Sequence, residues 1–173
     1  PRPSSRAAPA PTPRPVPQPT PRPSVNNVMT DSNIRTAVNE WISDATAAEA
    51  TYGHISTWET SGVTDMSWLF CGFPYDDTGN CNRARASFNE DIGAWDTSGV
   101  TTMVWMFSGA SAFDQDLSAW SVDNVRDMHQ MFSSASSFNQ NIGGWRVDNV
   151  RDVNWMFGSA SAFNQDLSNW RVD

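Results

Sequence analysis

The side chains that could support catalysis in this 173-residue chain are two histidines, two cysteines and nineteen acidic residues. His54 and His129 stand at different phases of a 25-residue repeat, so the repeats share no histidine pair. The carboxylates follow the repeat, and none departs from it as a catalytic pair would. A glycine-rich phosphate loop is absent. We therefore expect a protein that is not an enzyme and needs no cofactor.

Two neighbouring polar positions recur every 25 residues and carry the oxygen atoms that Ca²⁺ prefers. One holds Asn89, Asp114, Asn139 and Asn164, and the other holds Asp91, Asp116, Asn141 and Asp166. Asn139 and Asn141 interrupt the acidic pattern. Side chains that hold turns by bonding backbone amides explain both columns better than calcium, so we expect no metal site.

The two cysteines, Cys71 and Cys81, lie in an insertion near residues 71–85. A disulfide that closes this loop is the simplest interpretation, and it would imply an oxidising compartment. Two free thiols or half of a metal site are the alternatives, although no neighbouring histidine or cysteine completes a zinc site.

Tryptophan occupies two kinds of repeat position. A column at Trp58, Trp95, Trp120, Trp145 and Trp170 is flanked by Ile or Leu and is predicted to be core. A second row, Trp68, Trp105 and Trp155, falls off the apolar stripe, and its third copy is Gln130. Such a row favours an interaction surface able to stack on sugar rings. Alternatively, these rings fill grooves between repeats.

The fixed period defines the architecture. Successive landmarks, such as Phe113, Phe138 and Phe163, are 25 residues apart, which is typical of a solenoid. Alternation around Trp120 predicts a short strand, and Val125, Met128, Met131 and Phe132 have helical spacing. We expect an α/β repeat solenoid of about five coils over residues 54–173, each with one short parallel strand and one short helix.

Two segments precede the repeats. Residues 1–24 hold ten of the eleven prolines and four arginines, which predicts a disordered or polyproline II linker or stalk. A ligand for a proline-recognising domain and an O-glycosylated stalk are the alternatives. Residues 25–53 are expected to form an N-terminal helical cap, begun by Asp31 or Ser32, with Ile34, Ala37, Val38 and Trp41 facing inward.

Charge and hydropathy limit the partners. Beyond the tail, seven arginines face nineteen acidic residues, and lysine is absent. So acidic a body argues against nucleic acid and anionic membrane surfaces. No transmembrane stretch is present. The last residues, Arg171-Val172-Asp173, copy the start of another repeat, so we expect a fragment of a longer chain.

The run from Trp95 to Leu117, which includes Thr97-Ser98-Gly99-Val100, resembles the BspA-type leucine-rich-repeat region, the DUF285 repeat. The later copies Phe138-Asn139-Gln140-Asn141-Ile142 and Phe163-Asn164-Gln165-Asp166-Leu167 repeat its most distinctive part. The two-cysteine insertion is similar to algal members. The resemblance implies that the solenoid is leucine-rich-repeat-like. It also implies a secreted or cell-surface protein associated with adhesion and with binding host or matrix proteins.

One departure from the leucine-rich pattern concerns the loop after each strand. That pattern places Asn three residues after the second apolar strand position, whereas here Asn124 and Asn149 come one residue early. The loop geometry is therefore expected to differ. Taken together, the sequence predicts an extracellular protein for protein contact, adhesion, self-assembly or structure. A glycan-binding module is the alternative.

Overall fold

A computed structural model describes residues 26–73 and 79–171 of the chain. The proline-rich segment 1–24 and part of the two-cysteine insertion lie outside these residues. The described part begins with strand β1 (Val28–Thr30), helix α1 (Ile34–Ser43) and helix α2 (Ala45–Tyr52). A short 3₁₀ helix (Ile55–Thr57) and strand β2 (Glu59–Gly62) follow, and a second 3₁₀ helix covers Arg83–Ser87. Strands β1 and β2 pair in parallel, with Val28 opposite Glu59.

Helix α1 forms where the amphipathic pattern predicts it. Its buried residues are Ile34, Ala37, Val38 and Trp41. The helix does not start at Asp31 or Ser32, because Asn33 is the N-cap and makes no side-chain capping bond. The Asp31 carboxylate instead accepts hydrogen bonds from the backbone N–H groups of Thr64 and Asp65.

The expected leucine-rich-repeat-like solenoid of about five strand-plus-helix coils is wrong. Among the described residues, both α-helices precede residue 53 and the only sheet has two strands. The repeats after β2 consist of turns, and isolated parallel bridges join Asp65 to Thr102, Thr102 to Asp127, and Asp127 to Asp152. The strand expected near Trp120 and the helix expected over 125–132 are not observed.

The backbone of the repeats explains this difference. Gln130 has φ +52°, a left-handed conformation that no α-helix continues through. Alternate N–H groups then bond in different directions: that of Met128 reaches the Asp152 carbonyl at 2.8 Å, whereas that of Met131 bonds locally to Met128. Turns therefore bury the same Val, Met, Met and Phe positions that a helix would have buried.

Aromatic side chains form the core of the stacked turns. Phe107 and Phe132 are stacked with ring centroids 5.4 Å apart, and Phe113 and Phe138 at 6.0 Å. The prediction that the first tryptophan column lies in the core is confirmed for four of its five members, since Trp95 is 3% exposed and Trp145 4%, whereas Trp170 is only partly buried. From Trp95 onward, each indole of the column also donates to a carbonyl of the preceding repeat, as Trp120 Nε1 does to Ile92 at 3.1 Å.

Candidate functional site

The second tryptophan row is the candidate functional site. Trp68, Trp105 and Trp155 have φ of +59°, +56° and +55°. The backbone at the row bonds to the next repeat, since the Trp105 N–H donates to the His129 carbonyl at 2.9 Å and the Gln130 N–H donates to the Asn154 carbonyl. The row therefore projects from one side of the stacked turns, and Gln130 interrupts it.

A left-handed conformation is costly for a bulky residue. The penalty is roughly 1–2 kcal/mol for a residue with a Cβ atom, and glycine avoids it. Two repeats do place Gly at another left-handed or crowded turn position, Gly72 and Gly109, yet the row keeps Trp in three of its four copies. The row therefore keeps tryptophan at a backbone position where glycine would avoid the penalty.

The three tryptophans differ in exposure. Trp68 and Trp105 are half-buried, and Trp155 is 72% exposed. Trp105 packs edge-on against Phe73, with ring centroids 5.8 Å apart, and Trp68 borders a cavity that also contains Arg35 and Arg85. Within the described ranges, no ring contact joins the three indoles to one another. The row offers separate aromatic platforms on a backbone that is fixed by hydrogen bonds.

The first repeat is closed off by side chains from the N-terminal elements. Arg35 donates from Nη1 to the Asp65 carbonyl at 3.1 Å and from Nη2 to the Ser67 carbonyl at 3.2 Å. In the next repeat, the equivalent carbonyls of Thr102 and Val104 accept from backbone N–H groups. The guanidinium thus replaces the amides of a preceding repeat. This role of Arg35 was not predicted from the sequence. The available signal was an arginine on an otherwise uncharged helical turn.

Cys71 and Cys81 form a disulfide, which confirms the pairing preferred from the sequence. The bond joins two cysteines that are ten positions apart in the sequence, and Cys71 is fully buried. The carbonyl of Cys71 also accepts the Asn82 N–H at 2.8 Å, so the base of the insertion is held by covalent and hydrogen bonds.

The polar columns hold the stack together. Asn89 Oδ1 accepts the Asp114 N–H at 2.9 Å and the side-chain amide of Gln115 at 3.0 Å, and Asp114 repeats this with Asn139 and Gln140. The second column bonds the backbone two residues on, as Asp116 Oδ1 does with the Ser118 N–H at 2.8 Å. The second column thus confirms the predicted turn-holding role, whereas the first column joins neighbouring repeats. Among the described residues, no group of three or more His, Cys, Asp or Glu is arranged to hold a metal.

The two histidines have separate local contacts. His54 Nδ1 lies 2.8 Å from Ser56 Oγ and accepts the Ser56 N–H, which caps the 3₁₀ helix that follows. His129 Nδ1 lies 3.7 Å from the Asp152 carboxylate. The structure therefore does not bring the two histidines into one site.

Hydrogen bonds from serine govern the acidity of three exposed carboxylates in the repeats. Hydrogen bonds from the Ser98 hydroxyl and N–H lower the pKa of Asp96. The pKa values of Asp116 and Asp166 are lowered in the same way by Ser118 and Ser168. These three side chains therefore act as carboxylates that accept hydrogen bonds within turns, and not as proton donors.

Among the described residues, none of the helices has the length and apolar character needed to span a bilayer. No curated protein and no solved structure matches the chain. One family matches residues 36–75 and 76–173, which together are most of the chain, under the description "Mycoplasma protein of unknown function, DUF285". The two segments meet inside the cysteine loop, as expected if that loop is an insertion between repeats. The chain therefore belongs to the DUF285 family.

Proposed function

We propose that this protein is a non-catalytic, extracellular repeat protein that binds other proteins at a cell surface, in adhesion or structural assembly. The observation that carries the proposal is the row of Trp68, Trp105 and Trp155 in the left-handed conformation. Tryptophan is the residue type most enriched among the side chains that dominate protein interfaces. A row that keeps it against a conformational penalty is best explained by a binding partner.

The surroundings of the row also favour recognition over catalysis. The backbone on both sides of Trp105 is fixed, since its N–H bonds to the next repeat and its carbonyl accepts the Ser108 N–H at 3.1 Å. A rigid aromatic platform loses little conformational entropy on binding. The disulfide between Cys71 and Cys81 supports an oxidising, extracellular location.

Within the DUF285 family, we place the chain with the BspA-type surface proteins and their algal-type members. Support comes from the motif that runs from Trp95 to Leu117 and from the two-cysteine insertion. This placement agrees with adhesion and with binding of host or matrix proteins.

Glycan binding is a second candidate, because exposed indoles stack on sugar rings. Trp155, with 72% of its surface exposed, favours it most. A protein partner would be expected to engage several tryptophans together, whereas a short glycan would depend on one platform.

Parallel binding to a panel of purified extracellular-matrix proteins and to a glycan array tests the proposal. The wild type, Trp105→Ala and Trp155→Ala are compared, with circular dichroism to verify folding. We expect retention on matrix proteins and a loss of at least tenfold in affinity, about 1.4 kcal/mol, in each variant. Retention on glycans alone would select the second candidate. If both variants bind as tightly as the wild type, the tryptophan row is not the binding surface.

A further inference from the structure

A small cavity of about 140 Å³ lies beside α1 and the first repeat. Its lining includes Arg35 and Asn39 from the helix, Trp68 from the repeat, and Asn80 and Arg85 from the cysteine insertion. A water molecule occupies about 30 Å³ in the liquid, so the space suits an ion of a few heavy atoms.

The two guanidinium groups at this cavity are close together. Arg35 Nη2 donates to the Ser67 carbonyl at 3.2 Å, and Arg85 Nη1 donates to the next carbonyl, that of Trp68, at 2.9 Å. Burial, and then the charge of Arg35, lowers the pKa of Arg85. Two cations therefore share one small volume in a protein whose formal net charge is −8.

Their charge is only partly balanced. Arg35 pairs with the Asp65 carboxylate at 3.2 Å. Arg85 is 7% exposed, and the hydrogen-bond acceptors assigned to it are neutral: the carbonyls of Trp68 and Asn80 and the side-chain oxygen of Asn39. Its Nε atom is buried without a partner among the described residues. A buried cation with a spare donor is unfavourable unless an anion accompanies it.

We propose that this cavity, the Arg35–Arg85 pocket, binds a small oxyanion, either a carboxylate or a sulfate group. Guanidinium groups match both, because their planar donors bond to paired oxygens. The anion would offset the charge of Arg85 and accept hydrogen bonds from the two guanidinium groups that line the cavity. Of the tryptophan row, only Trp68 lines the pocket, so this inference does not depend on partner binding at Trp105 and Trp155.

The test follows the Arg85 Nε–H and the Trp68 indole N–H by nuclear magnetic resonance during titration with sodium sulfate and with sodium acetate. Sodium chloride at the same ionic strength is the reference. We expect both signals to shift saturably with sulfate, acetate or both, which also distinguishes the tetrahedral from the carboxylate ligand. The absence of a saturable shift with either ion would overturn the proposal.

Asn39→Asp is the informative variant because it keeps the acceptor for Arg85 and adds a carboxylate to the pocket itself. We expect it to weaken anion binding at least tenfold. Asn154→Asp, which makes the same change of charge in the last described repeat, should alter the affinity less than twofold. Equal affinities in the two variants would show that the anion binds elsewhere and would overturn the proposal.

A carboxylate could also come from the chain, since Asp76 and Asp77 belong to the same loop, outside the described residues. The double variant Asp76→Asn with Asp77→Asn distinguishes this source. Unchanged affinity for the added anion supports a site for a free ligand. Binding that appears only in the double variant would mean that the loop's own carboxylates fill the pocket, and it would overturn the proposal. The test of matrix-protein binding is separate. If Trp155→Ala loses that binding, the anion titrations should still give the same result as with the wild type.

Discussion

The indole Nε1 of Trp145 donates a hydrogen bond to the carbonyl oxygen of Leu117, 28 residues earlier, at 3.0 Å. The same bond joins Trp120 to Ile92 and Trp170 to Ile142. From Trp95 onward, each tryptophan of the core column thus satisfies a backbone group of the preceding repeat while its ring fills the space between repeats. The two tryptophan populations of this protein are therefore chemically distinct.

Replacement of Trp145 by Phe should destabilise the fold. Phenylalanine keeps part of the packing but leaves the buried Leu117 carbonyl without its partner, at a cost of about 1–3 kcal/mol. Urea unfolding monitored by circular dichroism measures the change. Trp155→Phe, made at an exposed position, should change the free energy of unfolding by less than about 0.5 kcal/mol. Equal effects in the two variants would refute the distinction.

Gly109→Ala should destabilise the junction between the repeats and the cysteine insertion. Gly109 has φ +71°, and a Cβ atom there would lie 2.6 Å from the backbone nitrogen of Phe73. The overpacking and the strained conformation together should cost about 1–3 kcal/mol.

Ser134→Ala is the matched control for Gly109→Ala. Ser134 occupies the equivalent position one repeat later, with φ +59°, and already carries a Cβ atom. Its replacement should shift the unfolding midpoint little. A stable Gly109→Ala variant would show that the insertion does not pack on this turn as described.

Arg35→Ala should weaken the start of the stack. It leaves the Asp65 and Ser67 carbonyls without the donors that later repeats obtain from backbone amides. Because the Arg35 side chain is 41% exposed, we expect the free energy of unfolding to fall by about 1–2 kcal/mol. Two fully buried charged hydrogen bonds would contribute more. Arg151→Ala is the control, since the Arg151 side chain has no hydrogen bond within the described residues. An equal loss of stability in Arg151→Ala would mean that the two hydrogen bonds of Arg35 are not the cause of the effect.

Stability should fall in acid partly through Asp31. Burial tends to raise the pKa of Asp31, but the hydrogen bonds from the hydroxyl and N–H of Thr64 outweigh it, so the pKa lies below its ordinary value. A carboxyl group whose pKa is lowered by folding adds stability above its unfolded pKa, about 3.9. That contribution disappears as the pH falls through the lower, folded value.

Asp31→Asn tests this pH dependence. The variant should be less stable than the wild type at pH 7, and the difference should vanish in strong acid, where Asp31 is neutral. Urea unfolding across this pH range measures it, with Asp148→Asn as the control because that side chain has no hydrogen bond within the described residues. A difference that persists unchanged in acid would exclude the carboxylate as its cause.

The sequence predicted the parts of this fold that depend on burial. The Trp145 column, the inward side of α1 and the pairing of Cys71 with Cys81 follow from periodicity and from cysteine count. These predictions hold although the repeats form turns where helices were expected, because turns and helices can bury the same side chains.

The backbone path through Gln130 and Trp105 could not be predicted in the same way. Apolar residues spaced like those of an amphipathic helix also satisfy a turn whose alternate N–H groups bond to the next repeat. The left-handed region is usually occupied by Gly or Asn, so Trp and Gln give no sequence signal for it. The contact of Arg35 with the first repeat joins atoms that are far apart in the sequence, so it could not be predicted either.

The most direct test of the proposed function compares the Kd values of Trp155→Ala and Trp145→Phe for the matrix protein that the wild type binds most tightly. We predict at least a tenfold loss of affinity in Trp155→Ala with unchanged stability. Trp145→Phe should lose stability and, while folded, keep its affinity. The opposite result, intact binding in Trp155→Ala and weakened binding in folded Trp145→Phe, would contradict the assignment of the exposed row to partner binding.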